Sequence, residues 1–272
     1  TAAKVQAIVD GFNAILGNAT DASATNPTQA NYAAIGVNGV DTAQKVILLG
    51  EVIDGKAPAD VDSVTKLQAL ADAVQVVMTH TSSSATAPTV EQINALIRPQ
   101  SNGINPVTPD NLALVLASLA NGNEFGTPLA SQSQLQTLVT EALVAYTAAL
   151  NTISAAAQSN SASETSPNAA VYATAGVLGV NSGNLAAINS SLNSTGIGAD
   201  QANTAAKLQA IVNAYAAILA EANGIAGDTT PASNPSAADY AKIGANIGTA
   251  ATDEDNLALL NSIVGGQITA GV

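Results

Sequence analysis

Thr1–Leu16 reads TAAKVQAIVDGFNAIL, and Thr204–Leu219 reads TAAKLQAIVNAYAAIL. The two stretches differ at Val5/Leu208, Asp10/Asn213, Gly11/Ala214, Phe12/Tyr215 and Asn13/Ala216, and each change keeps the site's character or swaps small for small. A match this long, from one end of the chain to near the other, marks a duplication. Val5, Ile8, Val9, Phe12, Ile15 and Leu16 recur at the i, i+3, i+4, i+7 spacing of an amphipathic helix. The unit to explain is therefore a helical repeat.

Working outward, the same order of segments appears four times. After the first helix, Gly17 and the polar run NATDASATN lead to Asn26-Pro27-Thr28, Tyr32 and Ile35-Gly36. Pro and a cap-forming residue at the start, with Gly at the end, bracket a short second helix. A third helix from Asp41 carries Val46, Leu49, Val52 and Ile53 and closes at Gly55. The second copy has the stripe Leu67, Leu70, Val74, Val77, then the loop THTSSSATA, Pro88 and Ile93. A long connection, RPQSNGINPV, precedes its third helix, which opens at Thr108-Pro109-Asp110. The third copy has Leu135, Leu138, Val139, Tyr146, Leu150 and Ile153, the loop QSNSASET, then Pro167, Tyr172 and Gly176, with its last helix from near Asn181. The fourth has Leu208, Ile211, Val212, Tyr215, then Pro235, Tyr240 and Gly244, and a last helix capped by Thr252 or Asp253.

The expected fold is all-α, a tandem array of about four small three-helix bundles: 1–63, 64–132, 133–203 and 204–272. Repeats of this length exceed the roughly 20–50 residues of solenoid units, and three helices of some fifteen residues can close a core. Beads with short linkers, DGKAPADVDS, NGNEFGTPLASQS and STGIGADQAN, are expected rather than a continuous solenoid.

Composition restricts function. Of 272 residues, 20 are acidic and 7 are Lys or Arg, giving a net charge of −13. Such a chain repels nucleic acid, whose affinity comes largely from cations at phosphates. Cys is absent, so there are no disulfides, thiolate metal sites or thiol nucleophiles. The sequence shows no initiator Met, no signal sequence and no apolar run expected to span a bilayer, so it reads as a piece of something longer.

No catalytic, cofactor-binding or metal-ligating residue is expected. His80 is the only histidine, and a ligand or general base needs partners. It reads as a surface or helix-end residue. Asp253-Glu254-Asp255 with Asn256, and Asp54 with Asp60 and Asp62, are the densest acidic groups. Calcium is the functional alternative there, but neither group follows the EF-hand spacing. Acids in a first helical turn, stabilising the N-terminus, are the simpler expectation. The runs GVNGV (36–40) and GVLGV (176–180) lack the Lys and strand of a phosphate loop and read as tight turns, with Gly at positive φ and Val closing the core. Tyr32, Tyr172, Tyr215 and Tyr240 read as core residues.

The recurring pattern [N/S/A]-P-[T/S/N]-x-x-x-[Y/I]-x-x-[I/A/L]-[G/I] resembles the three-helix GA-like modules repeated in very large bacterial surface proteins and adhesins. Pro27/Tyr32/Gly36, Pro167/Tyr172/Gly176 and Pro235/Tyr240/Gly244 carry the resemblance, with Pro88/Ile93 as the divergent copy. It implies an extracellular, bacterial cell-surface location and a structural or adhesive role. Some relatives bind serum albumin; nothing in this surface carries that over. The expected function is an extender or cell-contact segment. Alternatives are a module binding one host or matrix protein, and a self-assembling filament or surface-layer subunit. The expected partners are neighbouring modules or copies of the chain, without nucleic acid or membrane insertion. An exposed apolar patch shared by every repeat would favour binding, and shared core positions alone a spacer.

Overall fold

The structure, a computed structural model, describes residues 1–21, 24–98, 106–125, 129–157, 166–226 and 234–268. The expected loop QSNSASET, most of RPQSNGINPV and the chain's last residues lie outside these. The chain is all-helical: the described residues form twelve α-helices and no strand, with one isolated antiparallel bridge between Asn223 and Ile268. The order long, short, third recurs through the chain. The long helices are α1 (Ala2–Thr20), α4 (Val64–Thr79), α7 (Gln132–Ala156) and α10 (Ala205–Glu221). The short ones are α2 (Gln29–Ala34), α5 (Val90–Leu96), α8 (Ala169–Thr174) and α11 (Ala237–Lys242), and the third helices α3 (Ala43–Asp54), α6 (Pro109–Phe125), α9 (Leu185–Leu192) and α12 (Glu254–Gly265).

Local chemistry fixes the short helices. Thr28, Thr89, Asn168 and Ser236 are their N-caps, each accepting a hydrogen bond from the backbone N–H three residues on. The repeated prolines Pro27, Pro88, Pro167 and Pro235 stand one residue earlier, outside the helix, and all are buried. They act as apolar anchors that aim the chain into the cap, not as first-turn helical residues. At the other end Gly36, Gly176 and Gly244 adopt φ of +87°, +74° and +76°. The N–H of the next residue (Val37, Val177, Ala245) donates back to the tyrosine carbonyl at 3.0, 2.9 and 2.9 Å. The glycine N–H donates to the residue after that tyrosine, completing a Schellman motif. The GVNGV and GVLGV runs are thus helix stops, with Val37 and Val177 buried as expected. The second copy has no such glycine; at Ile97 the chain leaves α5 in an extended conformation.

Short second helices change how the core closes. At six or seven residues they are far below the fifteen that would let three helices enclose a core. The chain divides into two compact units, Thr1–Val144 and Ala145–Val272, and the division falls inside α7. In the first unit one continuous core runs from Ile15 and Tyr32 through Leu67, Leu70 and Val74 to Leu135 and Val139, across the expected boundary at residue 63. In the second, a core runs from Ile153 and Tyr172 to Leu208, Ile211 and Val212, across the boundary at 203. Separate cores for the first two expected beads are not seen, and in the second unit the shared core takes in α10 but no residue of α11 or α12. Polar ties also skip along the first unit: Glu51 Oε2 accepts from the N–H of Gln132 at 2.6 Å, and Arg98 pairs with Asp54 at 3.2 Å.

Two further expectations are corrected. α9 begins at Leu185, because Asn184 Oδ1 accepts from the N–H of Asn181 and holds the preceding residues in a turn. α7, 25 residues long, is long and apolar enough by length and composition to cross a membrane, although no such run was expected. Part of its apolar face is used in packing, Leu135, Val139 and Leu143 in the first core and Ala149 and Ile153 in the second, while Val144 stays exposed.

Tyr32, Tyr172 and Tyr240 are buried as expected, while Tyr215 is half-buried. The Tyr172 hydroxyl donates to Asn189 Oδ1 at 2.7 Å and that of Tyr240 to Asn261 Oδ1 at 2.8 Å. Each asparagine in turn donates to a repeat proline carbonyl, that of Pro167 or Pro235. Tyr32 Oη has no such partner. Tyr240→Phe is therefore expected to cost about 1–2 kcal/mol in chemical denaturation, by stranding the buried Asn261 amide oxygen, and Tyr172→Phe less, about 1 kcal/mol, because Asn189 is half-buried and lines a cleft. Tyr32→Phe should be neutral or slightly stabilising.

Burial pushes the Tyr32 and Tyr172 phenols well above their ordinary value. Burial, then the charges of Glu221 and Asp239, pushes Tyr240 up to about 12. The unfolded chain then binds fewer protons than the native one once pH passes the ordinary phenol value. Stability is full below about pH 10 and falls as pH rises toward 12. Tyrosinate absorbance should appear together with the loss of far-UV circular dichroism in an alkaline titration.

Candidate functional site

The positions the sequence offered for chemistry are taken up structurally. His80 sits at the C-terminal cap of α4, as a helix-end residue, but it is buried rather than on the surface. Its carbonyl accepts from Asn123 Nδ2 at 2.8 Å, which pins the end of α4 against α6. Asp54 pairs with Arg98, Asp62 with Lys66 at 2.7 Å, and Asp60 accepts from the N–H of Ala57, so the three carboxylates serve three separate local ties. Asp253 is the N-cap of α12, accepting from the N–H of Asn256 at 2.9 Å, with Glu254 and Asp255 in the first turn. Among the described residues no three His, Cys, Asp or Glu side chains gather where they could hold a metal. A cleft of about 620 Å³ in the second unit is lined by Ser166, Ser182, Ser190, Asn189 and small apolar residues. It offers hydroxyls and amides but no titratable side chain.

What recurs instead is a junction, built from a residue type that the sequence reading passed over. Every long helix carries Gln five residues after a Ser or Thr at its start: Gln6 after Thr1, Gln68 after Ser63, Gln136 after Ser131 and Gln209 after Thr204. Ser63, Ser131 and Thr204 accept from the N–H three residues on and so fix where the helix begins. That places each glutamine one and a half turns in, and turns Gln68, Gln136 and Gln209 toward the preceding repeat.

Gln68 Oε1 accepts from the N–H of Asn38 at 2.9 Å, and its Nε2 donates to the Asn38 carbonyl at 3.2 Å. Gln209 treats Leu178 in the same way, at 2.8 and 3.2 Å. Gln136 Oε1 accepts from the N–H of Arg98 at 2.8 Å. Asn38 and Leu178 lie between the paired positive-φ glycines 36/39 and 176/179. A turn of that shape directs a backbone donor and acceptor outward, away from its own helix. The primary amide matches both at once, as a neighbouring strand would. The second Nε2 proton goes to Asp72 Oδ1 (2.8 Å) or Asn213 Oδ1 (2.9 Å) one helical turn on, which holds the amide the right way round.

Lysines complete the joint. Lys66 Nζ donates to the Ala59 carbonyl at 2.6 Å and Lys207 Nζ to the Asp200 carbonyl at 2.6 Å. Each thereby ties the start of its helix to a single 3-10 turn in the linker, Pro58–Asp60 or Ala199–Gln201. Beneath these polar contacts the apolar face is shut: Leu67, Leu70, Ala71 and Val74 on α4, and Leu208, Ile211 and Val212 on α10, are all buried. The Lys-x-Gln spacing was legible in the quoted duplicate, as KVQ and KLQ. Only the structure showed what the glutamine reaches.

No protein-family model matches this chain, no curated protein matches its sequence, and no solved structure matches its fold. Function rests on the repeat and its joints.

Removing a half-exposed amide that makes two neutral hydrogen bonds is worth about 1 kcal/mol. Gln68→Ala and Gln209→Ala should each lose about that much stability and speed hydrogen exchange at Asn38 and Leu178 respectively. Glutamate separates the two sites. Gln68→Glu sets a carboxylate beside Asp72 at i+4, whereas Gln209→Glu faces the amide of Asn213, so the first should cost roughly 0.5 kcal/mol more at neutral pH. Denaturant midpoints of the four variants check this order.

Proposed function

We propose that the chain is a spacer: a tandem array of four related three-helix repeats, docked through stiff joints, in a large bacterial cell-surface protein. The observation carrying this reading is that the repeats share core and joint positions. The residues repeated from copy to copy are cap, proline, tyrosine, turn glycine, joint glutamine and the apolar stripe. The large exposed apolar side chains are not shared in this way; Leu178 and Ile225, for example, have no exposed apolar counterpart in every repeat. A partner-binding module would repeat its contact patch, while a spacer needs only to repeat its joints. The weakly charged Asn, Ser, Thr and Gln surface suits a segment that must hold distance without attracting nucleic acid or anionic membrane.

The resemblance to GA-like modules supports the extracellular, adhesin-type setting, and the same reading assigns the chain no reaction. The Gln68 and Gln209 joints each close a backbone donor and acceptor that would otherwise face water, and the Gln136 joint a donor, which stiffens the array at small cost in apolar surface. The second reading, a module binding a host or matrix protein, would gain from a patch common to the repeats.

Binding measurements on the immobilised chain decide between them. No saturable binding is expected to serum albumin or to a panel of matrix proteins, and a Kd tighter than about 10 µM for one of them would overturn the spacer reading. Stretched between its ends in force spectroscopy, the chain is expected to give two unfolding steps. They should release roughly 500 and 430 Å of contour, because the chain divides into two compact units, Thr1–Val144 and Ala145–Val272. Four shorter steps would mean that each repeat bears load alone.

A further inference from the structure

The turn that Gln68 grips contains the dipeptide Asn38-Gly39. Asparagine before glycine can close on itself: the glycine nitrogen attacks the side-chain carbonyl carbon, and a cyclic succinimide forms as ammonia leaves. In a folded chain the outcome depends on that nitrogen. It must shed its proton, so a hydrogen bond from its N–H to a carbonyl holds it back, and it must be able to approach the side chain. Backbone structure therefore separates Asn-Gly pairs that look identical in sequence.

Four such pairs occur, of which Asn102-Gly103 lies outside the described residues. Gly122, after Asn121, lies inside α6, where its N–H is committed to the helix. Leu138 also packs so closely there that an added Cβ would stand 2.7 Å from its methyl group. The N–H of Gly224, after Asn223, donates to the carbonyls of Gly265 and Gln267, both at 2.9 Å. Gly39 is the opposite case. Among the described residues nothing accepts its N–H, and beyond its chain neighbours no atom lies within 4 Å of where a Cβ would stand. Asn38 is exposed, and its side chain is held by one bond, from Nδ2 to the Gly36 carbonyl at 3.1 Å.

We propose that Asn38 is a self-modification site that opens the first joint with time. The Gly39 nitrogen bonds to Asn38 Cγ, the Cγ–Nδ2 bond breaks and ammonia departs with the proton. Water then opens the ring at either carbonyl, so no oxidant or reductant takes part. One product is aspartate. The other is isoaspartate, whose backbone runs through Cβ and Cγ. An extra methylene then separates the N–H of residue 38 from the carbonyl that follows it, and one glutamine amide no longer meets both. The freed α-carboxylate also sets a negative charge beside an amide that already serves Asp72 at 2.8 Å. The second joint has the same turn and the same glutamine grip but carries Leu178 before Gly179, so it cannot react. The two joints thus age differently, and the array loosens first between its first two repeats. This rests on the joint geometry and holds whether or not the chain is a spacer.

Ageing the folded chain in mildly alkaline buffer, with site-resolved peptide mapping of isoaspartate, tests the proposal; the same chain unfolded in urea is the reference. Folded, Asn38 should convert at close to its unfolded rate. Asn121 and Asn223 should each be slowed at least about tenfold by folding, because they must wait for local opening. As isoaspartate accumulates, hydrogen exchange at residue 38 should quicken while Leu178 keeps its protection. Asn38→Leu, which copies the unreactive turn of the second joint, should age without that loss. Asn38 slowed by folding as strongly as Asn121 and Asn223 overturns the modification site. Isoaspartate at residue 38 with unchanged exchange there, or equal loosening in aged Asn38→Leu, overturns the opening of the joint.

Discussion

A three-helix repeat whose second helix has only six or seven residues cannot enclose its own core. Such a helix is less than two turns long, enough to place one tyrosine or isoleucine inward but not to cover the length of its neighbours. The long helix is therefore left with two apolar faces, one for its own repeat and one for the repeat before it. α4 and α10 each bury that second face in the core of their unit, which is why both cores cross from one repeat into the next. The caps, turns and joint glutamines serve this one requirement by fixing where each face begins and which way it points.

The turn after the short helix links local chemistry to assembly. A glycine at positive φ lets the chain reverse and satisfies the end of the helix, but the reversal turns the next backbone pair outward. Left alone, that pair would be solvated and indifferent. A glutamine one and a half turns into the next helix captures it, so one backbone conformation ends a helix and specifies its neighbour. Where the glycine is replaced, at Ile97, the chain runs on extended and the capture reduces to the Arg98 N–H alone. The joint is polar and geometrically specific, while its energy comes mainly from the apolar residues beneath it.

Much of this was legible in the sequence. Helix type, the fourfold order, the inward tyrosines and the glycine stops could be read from periodicity and turn chemistry, because each depends on residues within a few positions of one another. The third helices were legible in outline, though the start of α9 depended on an asparagine pair that competes with the helix. The burial of the prolines as anchors just outside their helices was not legible, nor was that of His80, which stands at a helix end as expected but inside rather than on the surface.

The sequence by itself determined that the chain is helical, repeated and poor in reactive groups, since composition, period and caps are local properties. Only the tertiary structure decided how the repeats share their cores and that a recurring glutamine is a joint. Those depend on which backbone atoms a turn exposes and which helix lies within about 3 Å of them. A side-chain amide in a polar position reads the same in sequence whether it faces water or a neighbour. The physical difference lies in contacts between residues about thirty positions apart, as Asn38 is from Gln68.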